Sequence, residues 1–288
     1  MKLKMPYHIG CSSWDVPSRI GSFYSKEMRP ENMLAQYASV FNVVEYNASL
    51  GQLPSEKMLQ HWKEKTPDGF KFCIRFPEDI THNKLLENVE NEVLAFVDSF
   101  EDIRGKLGPF HIQLPSSFEP AMLPRLEKLL SALPRTFNYA VETQHTNFFD
   151  RGNTEHDLEQ LLKSFGVDRI ITDTRKLYST KARSTDILEA QKENQNLPVR
   201  FNATGSRPVV RYLGTNDILN NEVYLTEWAI VVADWIKDGL HPYVIISTPN
   251  LVSEPALSSH FHKLLVNLIK IAPLEEWPIH RKSQLGLF

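Results

Sequence analysis

The stretch Val43-Val44-Glu45-Tyr46-Asn47 opens on β-branched apolar residues and closes on a carboxylate and an amide, and that transition decides how the chain is read. Branched side chains favour an extended, half-buried backbone, in which alternate residues share a face. Glu45 and Asn47 therefore stand on the face of Val43, just where the apolar run stops. Seven more segments do the same. Residues 7–11 lead into Ser12, 70–76 carry Arg75, 110–114 carry Gln113, and 139–141 lead into Glu142 and His145. Residues 170–171 lead into Asp173, 209–210 into Arg211, and 243–246 into Ser247 and Asn250.

Between these segments the apolar spacing turns helical, over residues 30–41, 55–65, 87–104, 120–132, 154–165, 221–237 and 254–271. Eightfold alternation of strand and helix predicts an α/β protein, a single (β/α)8 barrel of the TIM type, with residues 1–288 as one domain. In that architecture the polar strand tips meet at one mouth, where catalytic groups gather. Residues 181–198 are polar and weakly amphipathic, a helix, a lid or a partly mobile excursion, with Thr185-Asp186 as the candidate start. The tail over 273–288, holding Trp277, Leu285, Leu287 and Phe288, is expected to pack across the outside of the barrel.

Hydrophobic residues at 42% and charged residues at 23% fit a chain with a buried core, which excludes wholesale disorder. A formal charge of −3 gives no global attraction to nucleic acid or to an anionic membrane, so any such partner must be recognised locally. Cys11 and Cys73 fall inside predicted strands, facing the core or a helix, and no disulfide is expected. No apolar run reaches the roughly 18 residues of a membrane helix, so a cytoplasmic location is expected and no membrane partner.

The candidate catalytic residues are Glu45, His82, Glu142, His145 and Asp173: carboxylates and imidazoles near the ends of different strands can form an acid/base set. The same residue types leave a divalent metal open as a cofactor, while no glycine-rich nucleotide loop, nucleophile elbow or paired-cysteine motif is present. Candidate substrate-binding residues are Ser12, Trp14, Asn47, Arg75, Gln113 and Arg211, the two guanidinium groups being suited to a carboxylate or phosphate. Several have a plainer reading beside them, and His82 and His145 taken singly would be surface or hydrogen-bonding groups. Glu45 with Arg75, or Arg211 with Glu45 or Glu142, would make structural ion pairs, and Asp173 would make a helix cap or a loop salt bridge.

Together these stretches resemble the YecE-like family, also called domain of unknown function 72. Gly10, Ser12 and Trp14 match its G-x-S-x-W, and Val44, Glu45, Asn47 and Ser49 match its V-E-x-N-x-S. Ile80-Thr81-His82 matches I-T-H, and residues 107–118 match L-G-P-x-x-x-Q-L-P-x-S-F. The second half departs. Glu142-Thr143-Gln144-His145-Thr146-Asn147-Phe148 stands where the family has E-x-R-H-x-S-W, and Arg211-Tyr212-Leu213-Gly214 where it has R-x-H-G. The family's paired asparagines after the last strand are replaced near Ser247-Thr248-Pro249-Asn250. The resemblance implies a barrel of the triosephosphate isomerase type and no established reaction.

The expectation is an enzyme acting on a small anionic or phosphorylated substrate by acid/base or metal-assisted chemistry, as a hydrolase, isomerase or lyase. Two other classes compete with it: a nucleic-acid binding or processing protein, in which rim arginines hold phosphates and Trp14 stacks a base, and a catalytically silent ligand-binding barrel.

Overall fold

In a computed structural model that describes residues 5–48 and 53–281, eight parallel strands close into a barrel in chain order. They are β1 (His8–Cys11), β2 (Val43–Asn47), β3 (Lys71–Arg75), β4 (Phe110–Leu114), β5 (Tyr139–Thr143), β6 (Asp168–Asp173), β7 (Val209–Leu213) and β8 (Tyr243–Ser247). β8 pairs back onto β1, with His8 opposite Tyr243 and Cys11 opposite Ile246. Parallel neighbours need long crossovers, and helices supply them. These are α1 (Met33–Ala38), α2 (Glu56–Lys65), α3 (Glu90–Asp98), α4 (Leu123–Ala132), α5 (Asn153–Phe165), α6 (Arg175–Ser179), α7 (Thr185–Glu193), α8 (Glu222–Lys237) and α9 (Glu254–Val266).

The helix expected over 87–104 ends at Asp98 and gives way to a 3-10 stretch, Glu101–Lys106, which contains a non-helical backbone at Ile103. α7 begins at Thr185, as the sequence marks, and settles 181–198 as a helix followed by chain without regular secondary structure. Trp277 of the tail packs edge-on to Phe23 and donates from Nε1 to Ser259 Oγ at 3.2 Å; Leu285, Leu287 and Phe288 lie outside the described residues, as does Ser49.

Inside the barrel the period-two alternation builds two storeys. Val43, Cys73, Ala140, Ile170, Val209, Tyr243 and Ile245 form an apolar plug. Two residues further along, five of these strands place Glu45, Arg75, Glu142, Thr172 and Arg211 on the same face, directly above the plug. Residues of the opposite parity, such as Val44, Phe72, Val141 and Val210, join the cores beneath the helices. Cys73 therefore faces the lumen and Cys11 the helix layer, where its thiol lies 3.7 Å from Ser258 Oγ; both are buried and unpaired. Gly108 lies so close to the plug that a Cβ there would sit 2.8 Å from Cys73 Sγ.

Candidate functional site

β2 carries Glu45 into the lumen with its side chain 4% exposed. Arg75 of β3 donates from Nη2 to its Oε1 at 2.6 Å, Arg211 of β7 brings Nε within 3.2 Å of its Oε2, and His111 of β4 places Nδ1 2.9 Å from that same oxygen. Burial by itself would push this carboxyl up, but Arg211, Arg75 and the His111 hydrogen bond hold it well below the usual carboxylate range. Glu45 is thus a fixed negative charge and an orienting group, unfit to give up a proton near neutrality. The guanidinium of Arg211 is opposed by burial and held charged by Glu45 and Glu142.

Glu142 of β5 is the second carboxylate. Its Oε2 accepts from Arg211 Nη1 at 2.9 Å and from Gln113 Nε2 at 3.0 Å, and its Oε1 from Thr172 Oγ1 at 2.8 Å. Six strands, β2 to β7, therefore contribute to one hydrogen-bonded cluster holding two arginines and two glutamates. His82 stands at its rim, on a π-helical turn (Asp79–Asn83) after β3, with Nδ1 2.8 Å from Thr81 Oγ1. Burial lowers its pKa; Glu78 and Glu142 pull it up and Arg75 pushes it down, so the ring senses charges on both sides of the mouth.

Of the remaining sequence candidates, Asp173 and Trp14 face the helix layer, His145 follows the end of β5 and Asn47 ends β2. Asp173 has the parity opposite to Thr172 and faces the helix layer, fully buried. There it accepts from Trp228 Nε1 at 2.8 Å and from the Arg175 backbone at 2.9 Å, and pairs with the Arg175 guanidinium at 2.7 Å, so its place is that of a capping and packing residue. His145 lies beyond the strand, where its Nδ1 accepts from Asn147 N at 3.2 Å and caps a 3-10 turn, Thr146–Phe149. Trp14 packs with Tyr46, Trp62 and Phe72 on the helix side of β2 and β3, away from the lumen cluster. Asn47 lies opposite Arg75 in the β2–β3 register.

Ser12 belongs to a second polar centre. Its Oγ donates to Glu254 Oε1 at 2.6 Å, and Arg19, fully buried like Glu254, reaches Glu254 Oε2 at 2.5 Å and the Leu251 carbonyl at 2.7 Å. Burial pushes the Glu254 carboxyl up to about 7 against the pull of Arg19. Sequence reasoning missed this pair, His111 and Thr172. His111 was visible as the residue two before Gln113, on one strand face; Arg19 and Glu254 lie in a loop and at a helix start, where no periodicity marks them.

A cavity of about 30 Å³ opens beside Glu142 and Thr172, with Thr143, Phe149 and Gln195 on its wall, enough for solvent only. The roomier groove, about 530 Å³, lies between α9 and residues 273–280, far from the strand-end cluster in the chain's layout. Among the described residues no three His, Cys, Asp or Glu side chains are grouped to hold a metal ion, and both mouth carboxylates are already engaged by arginines. These residues do not fit a divalent cation. No described helix is long and apolar enough to cross a membrane.

A closed parallel barrel with a charged cluster at the carboxyl ends of its strands defines the class: an eightfold α/β barrel protein. Within it the chain belongs to the family described as Protein of unknown function DUF72, whose model matches residues 8–279. It is 32% identical over 268 residues to UPF0759 protein YecE of Escherichia coli (strain K12), covering 92% of this chain and 94% of that protein. Two solved structures share the fold. One is a DUF72 family protein from Thermotoga maritima MSB8, with TM-score 0.66 and 18% identity, covering 90% of this chain and 99% of that one. The other is a DUF72 family protein from Enterococcus faecalis V583, with TM-score 0.69 and 15% identity, covering 94% and 98%.

Proposed function

We propose that the barrel mouth is an enzyme site for a small substrate bearing an anionic or phosphorylated group, working by acid/base chemistry. The observation that carries this reading is the convergence of Arg75, Arg211, Gln113 and Glu142 from four strands in one cluster at the end of the barrel where barrel enzymes place their sites. Arg75 and Arg211, with side chains 15% and 16% exposed, are the anion-binding groups. Glu142 and His82 handle the proton, and Glu45 fixes the orientation of both guanidinium groups. Gln113 and Asn47 position the substrate. Nucleic acid is the weaker reading, since Trp14, the ring that would stack a base, is engaged with three aromatic neighbours.

Calorimetric titration with inorganic phosphate tests the proposal. Phosphate should bind the wild-type protein, and Arg211→Met, which keeps the aliphatic stem, should weaken binding at least about tenfold, the loss of one charge-assisted pair. Equal affinity in the two proteins, or none in either, would overturn it.

A further inference from the structure

The lumen cluster is charge-balanced, with Arg75 and Arg211 set against Glu45 and Glu142. An entering anion would leave this largely buried set with surplus negative charge, which is costly unless another group compensates. One titratable side chain inside the barrel is placed to do so. His111 is 1% exposed, its Nδ1 is committed to Glu45, and its Nε2 is buried without a hydrogen-bond partner among the described residues. Around it stand Glu45 on β2, Cys73 and Arg75 on β3, Gln113 on its own strand, Glu142 on β5 and Arg211 on β7, with His82 at the rim. An ionised Glu45 can only accept, so Nδ1 carries the hydrogen. On a neutral ring Nε2 would be a bare lone pair, cheaper to leave unpaired than the N–H of a cation.

Resting on the anion-binding reading above, we infer that His111 takes up one proton from solvent when the anion binds, and that this uptake is what lets a neutral cluster accept a negative charge. The imidazolium keeps its Nδ1–H bond to Glu45 and gains an Nε2–H donor, for which the anion or a water entering with it is the acceptor. The added proton cancels the charge of a monoanion and offsets half of that of a dianion such as sulfate, so less surplus negative charge is left in the cluster. His111 is on this account a specificity-determining residue, coupling affinity to pH.

Sulfate, which does not titrate near neutrality, is the probe. Calorimetry in two buffers of different ionisation heat should count about one proton taken up per sulfate by the wild-type protein. Affinity should fall about tenfold per pH unit between about pH 6 and 8. In His111→Gln both the uptake and the pH dependence should vanish. Uptake that persists in that variant, or that is lost in His82→Gln instead, overturns the inference. If His111→Gln does not fold, the wild-type count still decides, because sulfate binding without proton uptake is incompatible with it. Binding that depends on Arg211 but not on pH would sink the proton step alone, whereas no sulfate binding at any pH from about 5.5 to 8 would sink this inference and the anion site together.

Discussion

Replacing Glu45 by Gln removes the one carboxylate shared by both arginines and His111, at contacts of 2.6, 3.2 and 2.9 Å. Unit charges about 4 Å apart interact by about 4 kcal/mol at an effective dielectric of 20, so two cations lose a large attraction while the carboxylate's own desolvation cost is recovered. The balance for breaking such a buried set by removing one partner is about 3–5 kcal/mol, because surplus positive charge stays behind. For a chain of 288 residues this corresponds to a fall in melting temperature on the order of 10 °C. Thermal unfolding followed by circular dichroism reads it. Adding Arg75→Met to the Glu45→Gln variant should cost less than the sum of the two single changes, since the second removes the stranded cation. A loss within about 1 kcal/mol, the range of exposed ion pairs, would refute the picture of a buried charge cluster.

Asp173→Ala should cost about 2–4 kcal/mol by stranding Trp228 Nε1 and leaving the Arg175 guanidinium with Glu227 as its one carboxylate partner among the described residues, yet leave phosphate affinity within about twofold of wild type. A phosphate defect like that of Arg211→Met would return Asp173 to the site. At the opposite end of β6, burial pushes the Asp168 carboxyl up to about 6 from its ordinary 3.8. Between those values the folded protein holds a proton that the unfolded chain sheds, so Asp168 favours the fold at low pH and that advantage is lost as the pH rises through about 6. Asp168→Asn, neutral throughout, should therefore gain on the wild type between about pH 4 and pH 7, by at most about 3 kcal/mol in matched melting experiments. A gap that stays constant or narrows would contradict this sign.

The barrel was legible because each strand changes character along its own length, from branched and apolar to polar, and because strand parity carries that change to one side of the wall. The same logic delivered Glu45, Arg75, Gln113, Glu142 and Arg211 to a common lumen. It failed at Asp173 because a polar tip occurs in either parity: Thr172 and Asp173 are adjacent, and only the knowledge that Ile170 faces the plug tells which of them enters the barrel. His111 was passed over because an imidazole inside an apolar strand reads as core, although its parity with Gln113 marks its face, and the direction of His145 was not legible because the chain leaves the strand after Thr143 and turns into a 3-10 segment. Trp14 sits in a loop, where sequence fixes no direction for a side chain.

The oxygen of Tyr37 accepts from Cys11 N at 2.6 Å and donates to the Val43 carbonyl at 2.8 Å, spanning the seam between β1 and β2. At that seam any side chain on Gly10 would begin 1.8 Å from the Val43 carbonyl oxygen. The first glycine of the opening motif is thus demanded by masonry, as is Gly108 against Cys73. Two of the letters by which the chain declares its kinship describe how the wall is laid, and a relative that shares them inherits the building without inheriting the trade carried on inside.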